Sequence, residues 1–188
     1  MAEDKRFVIV LAGFGCTGKS TIAKRLADLY SFSLMEQYVI YNSIAVAKGY
    51  KRTRHWLAEV GNEVFVKETT SETVRRINAL EASKGIVIDA SYGPAMNTIL
   101  CSNLVNTRTI VVAINTDQAC REGRMAGRMG ASDEEAKVEL AFRDGFLEEV
   151  NLEKVIEKAD FKVANNGSIE EVLNQIANEL TKLGIPKP

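Results

Sequence analysis

Residues 7–12 read FVIVLA and residues 13–20 read GFGCTGKS, so an unbroken apolar run with β-branched members passes directly into a glycine-rich loop. A run with no polar alternation suits a strand buried on both faces of a parallel sheet. From Lys19 onward Ile22, Ala23, Leu26, Ala27, Leu29 and Tyr30 recur close to helical spacing. Strand, loop and helix therefore follow one another without a gap, as in the opening half of a βαβ unit.

The loop satisfies GxxxxGK[S/T], and each residue type in it meets a physical need. Gly13, Gly15 and Gly18 permit positive φ and close backbone approach, so that successive amides, with those of Cys16 and Thr17, converge on phosphate oxygens at a helix N-terminus. Lys19 is placed to bridge a β- and a γ-phosphate. Ser20 offers a hydroxyl to Mg²⁺, and Thr21 is one position further along, within reach of an α-phosphate. The expected ligands are ATP and Mg²⁺.

Three further strands are expected at 85–89 (GIVID), 109–114 (TIVVAI) and 161–164 (FKVA), with a short one at 32–35. Helical patterns lie between them, at 54–83, 94–105, 116–128, 132–158 and 168–183. Ser132 followed by Glu135, and Ser168 followed by Glu171, have capping-box spacing. Alternating strands and helices predict a three-layer α/β fold, with a five-stranded parallel sheet flanked by helices on both faces. No repeat, linker or biased tract interrupts the 188 residues, which predicts a single domain.

Asp89 ends the strand GIVID, so a carboxylate is expected at the ligand-binding edge of the sheet, where it would hold a Mg²⁺ water or the acceptor. Arg121, Arg124 and Arg128 recur three and four apart after TIVVAI. Guanidiniums on one helical face repel one another unless an anion lies among them, which suits a transferring phosphoryl group.

With these residues in view, the chain resembles the P-loop kinases of the nucleoside monophosphate kinase type, which include adenylate and cytidylate kinases. GFGCTGKS is the specific motif, and the likeness covers most of the chain in outline. The resemblance implies a helical lid at about 121–135 that gives Arg124 and Arg128 a catalytic role. It also implies an acceptor-binding helical segment at about 36–80. The tail KADFKVANNGSIEEVLNQI resembles dephospho-CoA kinase, where the turn after the last strand lies near the base; Asn165, Asn166 and Gly167 would then line the adenine pocket.

The acceptor is expected to be a small nucleotide or nucleoside-type molecule, either a monophosphate or dephospho-CoA-like. Within 36–80, Tyr41, Arg52 and Arg54 are candidate acceptor contacts, and Lys51, His55 and Trp56 offer further charge and a stacking surface. A hydroxyl acceptor benefits from a base. Glu36 in LMEQY is the only carboxylate near the second strand, where dephospho-CoA kinase carries paired aspartates.

Charge and cysteine content narrow the remaining classes. Residues 1–130 hold 17 basic and 12 acidic side chains, and 131–188 hold 7 and 13, so the positive field lies with the glycine loop. A small anionic ligand suffices for it, and neither a nucleic acid nor a membrane partner is expected. No apolar run approaches the roughly 18 residues of a membrane span. No export signal is expected from the first residues, and Cys16, Cys101 and Cys120 show no CxxC spacing, so reduced thiols in the cytoplasm are expected, in a monomer or homodimer. The alternative is an NTPase that hydrolyses ATP or GTP as a regulatory switch. A GTPase would carry NKxD and DxxG, but NTDQ at 115–118 matches the guanine-reading NKxD only in its first residue and no second strand has the DxxG pattern.

Overall fold

The computed structural model of the chain describes residues 6–80 and 83–187. Its central strand, β1 (Arg6–Ala12), is paired in parallel with β3 (Gly85–Ile88) on one side and β4 (Thr107–Asn115) on the other. The short strands β2 (Ser33–Met35) and β5 (Phe161–Ala164) form the edges, giving the order β2-β3-β1-β4-β5 with every pair parallel. This is the expected fold class, and the central position of β1 accounts for its composition. A strand with neighbours on both sides and helices on both faces has no polar side to present.

Successive β1 side chains alternate between two cores. Ile9 and Leu11 pack with α1 (Lys19–Tyr30) and α8 (Ile169–Lys182), whereas Val8 and Val10 pack with α2 (Gln37–Ala47), α3 (Thr53–Asn78) and α4 (Pro94–Asn103). The helix that follows β1 thus covers one face and the helix that follows β3 covers the other. Their diverging connections leave a crevice at the carboxyl ends of β1 and β3, the place where open parallel sheets bind ligands.

The helices depart from the sequence expectation in three places. The span 132–158 is two helices, α6 (Asp133–Glu149) and α7 (Leu152–Glu157), separated by Asn151 at a left-handed φ of 58°. The break has a packing cause. At the end of α6 the Val150 carbonyl lies against Gly93, where any Cβ would collide with it, and α7 then turns Leu152 and Val155 onto Ala12. The second departure is α2, which the periodicity does not mark as a separate helix. Its sequence QYVIYNSIAVA is apolar nearly all round, with Ile40 and Ala45 buried but Val39 and Val46 exposed, so no clean stripe forms. The pattern at 54–83 is helical as α3 to Asn78, with an interruption at Gly61 (φ 76°); residues 81 and 82 lie outside the described residues.

Candidate active site

Two steric restrictions shape the loop between β1 and α1. A Cβ on Gly13 would lie 2.5 Å from the Ile114 carbonyl oxygen of β4, and a Cβ on Gly18, whose φ is 91°, would strike the Asn165 side-chain amide. Cys16 and Gly18 both have left-handed φ with Thr17 between them at negative φ, an alternation of hand that turns successive amides toward one point. Thr17 is buried, and its hydroxyl donates to the Phe14 carbonyl at 3.0 Å.

Lys19 lies folded over this loop. Its Nζ donates to the carbonyl oxygens of Gly13 and Phe14, each at 2.7 Å. Burial pushes its ammonium down to about 8, against the opposing pull of Asp89. Across the crevice, Asp89 follows β3 directly and is 5% exposed. One carboxylate oxygen accepts the Ser20 hydroxyl at 3.1 Å and the other accepts the Gln37 backbone N–H at 2.8 Å. Burial nevertheless raises its pKa, because the two hydrogen bonds and the Lys19 charge only partly offset the lost solvation.

That imbalance is what a divalent cation would correct, so the Ser20–Asp89 pair fits Mg²⁺. Among the described residues no group of three or more His, Cys, Asp or Glu converges on a point. One carboxylate and one hydroxyl suit a hard cation that takes its other ligands from phosphate oxygens and water.

The three spaced arginines of α5 (Gln118–Met129) separate into two kinds. Arg121 is buried. Its Nε donates to the Gly15 carbonyl at 2.8 Å, its Nη2 pairs with Asp144 of α6, and its guanidinium covers the Phe14 ring at 5.5 Å. Arg124 donates to the carbonyls of Cys16 and Asn165 at 3.3 and 2.9 Å, and with exposed Arg128 it lines a cavity of about 670 Å³ over the loop. That cavity is walled by residues 15–21, Asp89 and, from α6, Arg143.

A second cavity of about 850 Å³ opens from the first, with Gly15, Tyr38, Tyr41, Tyr92 and Arg143 common to both. Phe65, Phe142 and Phe146 extend its aromatic wall, and Lys51, Arg52 and Arg54 stand at its rim. No Asp or Glu lines it. Burial raises the Tyr41 hydroxyl to about 12 and that of Tyr92 well above its ordinary value, so both stay neutral donors.

The candidate residues named from sequence fall into three groups. Gly15 to Thr21, Asp89, Arg124 and Arg128 surround the first cavity, and Tyr41, Arg52 and Arg54 border the second. Gly13 lies beneath the loop as the Lys19 partner. Asn165 is buried behind the loop, donating to the Thr17 carbonyl at 2.8 Å, and the Asn166 side chain accepts the Asp117 N–H at 2.9 Å; neither they nor Gly167 lines a cavity described above. Glu36 is exposed at the N-cap of α2 and lies outside both linings. Trp56 offers no stacking surface, because it is fully buried in the core against Phe65, with ring centroids 4.9 Å apart, while His55 is exposed.

Sequence reading passed over Tyr92, Phe142, Arg143, Asp144 and Phe146. The available signal was in α6, where Phe142 and Phe146 recur four apart around an Arg-Asp pair in a segment read only as a capped helix.

No family model matches the chain. It is 26% identical over 180 residues to a UPF0200/UPF0201 protein of Archaeoglobus fulgidus, covering 94% of this chain and 55% of that one, so it spans about half the length of that relative. It is 24% identical over 186 residues to a UPF0200 protein of Staphylothermus marinus, covering 95% of this chain and 94% of that protein. Among solved structures, the shikimate kinase of Aquifex aeolicus superposes with a TM-score of 0.62 at 18% identity, covering 94% of this chain and 98% of the other. A gluconokinase of Sinorhizobium meliloti superposes at 0.59 with 14% identity, covering 95% of each chain. The chain has the P-loop kinase fold expected from its sequence. These relatives bear on that fold and not on the dephospho-CoA kinase likeness of the tail.

Proposed function

We propose that the protein is an ATP-dependent phosphotransferase that moves the γ-phosphoryl group to a phosphate on a ring-bearing acceptor of nucleotide type. The observation that carries this reading is the pair of joined cavities, one built from a phosphate-binding loop and the other from aromatic rings and cations with no carboxylate in its wall. A phosphate acceptor is already ionised at neutral pH and needs only positioning, whereas a hydroxyl acceptor needs a base. Asp89 is assigned with Ser20 to Mg²⁺ in this reading, and Glu36 lies outside the linings, so the walls favour the phosphate and ask nothing of Glu36.

In this reading the loop amides other than that of Gly15, which donates to Asp144, hold the donor phosphates, and Lys19 leaves the carbonyls of Gly13 and Phe14 for the β- and γ-oxygens. Ser20 and Asp89 would hold Mg²⁺, which would supply neutralisation of the donor's negative charge. Arg124, Arg128 and Arg143 enter the donor cavity from two helices and stabilise negative charge that spreads over the transferring group. Tyr41 and Tyr92 flank the acceptor as neutral donors, and Arg52 and Arg54 draw an anionic molecule to the rim. Asn165 braces the loop and Asn166 the β4–α5 turn.

The test is ADP release from ATP and Mg²⁺ against nucleoside monophosphates, nucleosides, dephospho-CoA, shikimate, gluconate and water alone. Release that requires a monophosphate and yields the diphosphate is expected. Release that requires a nucleoside or sugar hydroxyl would refute the acceptor assignment, and release independent of every acceptor would make the protein a hydrolase.

A further inference from the structure

Gly15 lines both cavities, and its backbone is held at both ends by side chains from two different helices. Its N–H donates to Asp144 Oδ1 of α6 at 2.9 Å, and its carbonyl accepts Arg121 Nε of α5 at 2.8 Å. The two side chains also pair with each other, 10% and 13% exposed, so the ring of contacts is closed and largely dry. Neither charge is free to leave alone, since a buried ion stripped of its partner is strongly destabilising.

The two helices have different duties. On α5, Arg124 and Arg128 face the donor cavity; on α6, Phe142 and Phe146 wall the acceptor cavity two residues to either side of Asp144. The helices are joined through Met125, Ala136 and Leu140, and Cys16 of the loop packs on that cluster. A shift of α6 against an acceptor therefore moves Asp144, and Asp144 cannot move without Gly15 and Arg121.

We infer that Asp144 and Arg121 are positioning residues that couple the two cavities through Gly15, so that filling either site tightens the other. The inference rests on the proposed reading of the cavities as donor and acceptor sites. Neither side chain touches a substrate in this scheme. Each acts by fixing where the third residue of the loop lies and how the walls of both cavities stand around it.

The test uses the full chain and calorimetric affinities for the magnesium complex of AMP-PNP, alone and with an excess of AMP, CMP, GMP or UMP in turn. In the wild-type protein at least one monophosphate is expected to tighten AMP-PNP on the order of ten-fold. In D144N that factor should fall toward one, by a larger proportion than any change in the binary affinity. R121K, which keeps a cation beside Asp144 but lacks the planar fork, should also lose most of the factor. R121K decides the matter if melting curves reveal D144N to be unfolded. An undiminished factor in a folded variant, or no effect of any monophosphate in the wild type, overturns the coupling. A wild-type protein that does not bind magnesium AMP-PNP instead removes the donor reading on which the coupling rests.

Discussion

At the scale of single residues, Lys19 gives the sharpest expectation. Its pKa in the folded protein is about 8, below the ordinary 10.5, so between those values the unfolded chain holds a proton that the folded one has released. Stability of the ligand-free protein therefore rises with pH across that window, and the cost of burying the charge is fully present below it. A triphosphate beside Lys19 restores the proton. Binding at pH near 8.5 should thus take up protons, with affinity falling as pH rises further, and calorimetry in two buffers of different ionisation enthalpy measures the uptake. K19M should abolish it; an equal uptake in K19M would assign the proton elsewhere.

Residue identity was readable where chemistry is local. The loop, Asp89 and the α5 arginines announce themselves through spacing and strand position, because backbone geometry alone brings them to one sheet edge. Trp56 did not, since rarity beside cations says nothing about which way a ring faces, and core packing took it. Arg121 was readable as a cation but not as one engaged with Asp144, 23 residues away.

At the scale of elements, β1 was legible throughout because its position between two strands and two helical layers demands apolar residues on both faces. The division of α6 from α7 was not, because it depends on where Val150 meets Gly93, a contact between segments far apart in the chain. The capping boxes expected at Ser132 and Ser168 are both formed. The second matters more for stability, because α8 brings Val172, Ile176 and Leu180 into the core with Ile9 and Leu11. Ser168→Ala should cost about 1 kcal/mol in urea unfolding with an unchanged denaturant slope. No measurable change would mean that packing alone sets the start of α8.

At the scale of the whole molecule, the parallel order β2-β3-β1-β4-β5 places the crevice between connections that diverge to opposite faces. The parallel sheet followed from alternating strands and helices, whereas its strand order did not. The second cavity did not follow, because its wall is assembled from α2, α3, the β3–α4 turn and α6, and no sequence spacing records that meeting. Filling the first cavity should stabilise the fold by mass action, so magnesium AMP-PNP at a hundred times its dissociation constant is expected to add about 2.7 kcal/mol to unfolding. Lys19→Ala should remove most of that increment at the same ligand concentration. An equal increment in the variant would show that the ligand bypasses the loop.

The folded-over Lys19 also filters what the loop accepts. Its ammonium already satisfies two carbonyl oxygens, so an incoming anion must recompense the loss of both bonds before it gains the lysine. A lone sulfate or orthophosphate offers one tetrahedron to the amides and little more. A chain of two or more phosphates reaches the amides and the ammonium together, which makes the loop a discriminator of anion length rather than of charge alone. Pyrophosphate should accordingly displace a bound fluorescent nucleotide at concentrations where sulfate at matched ionic strength does not.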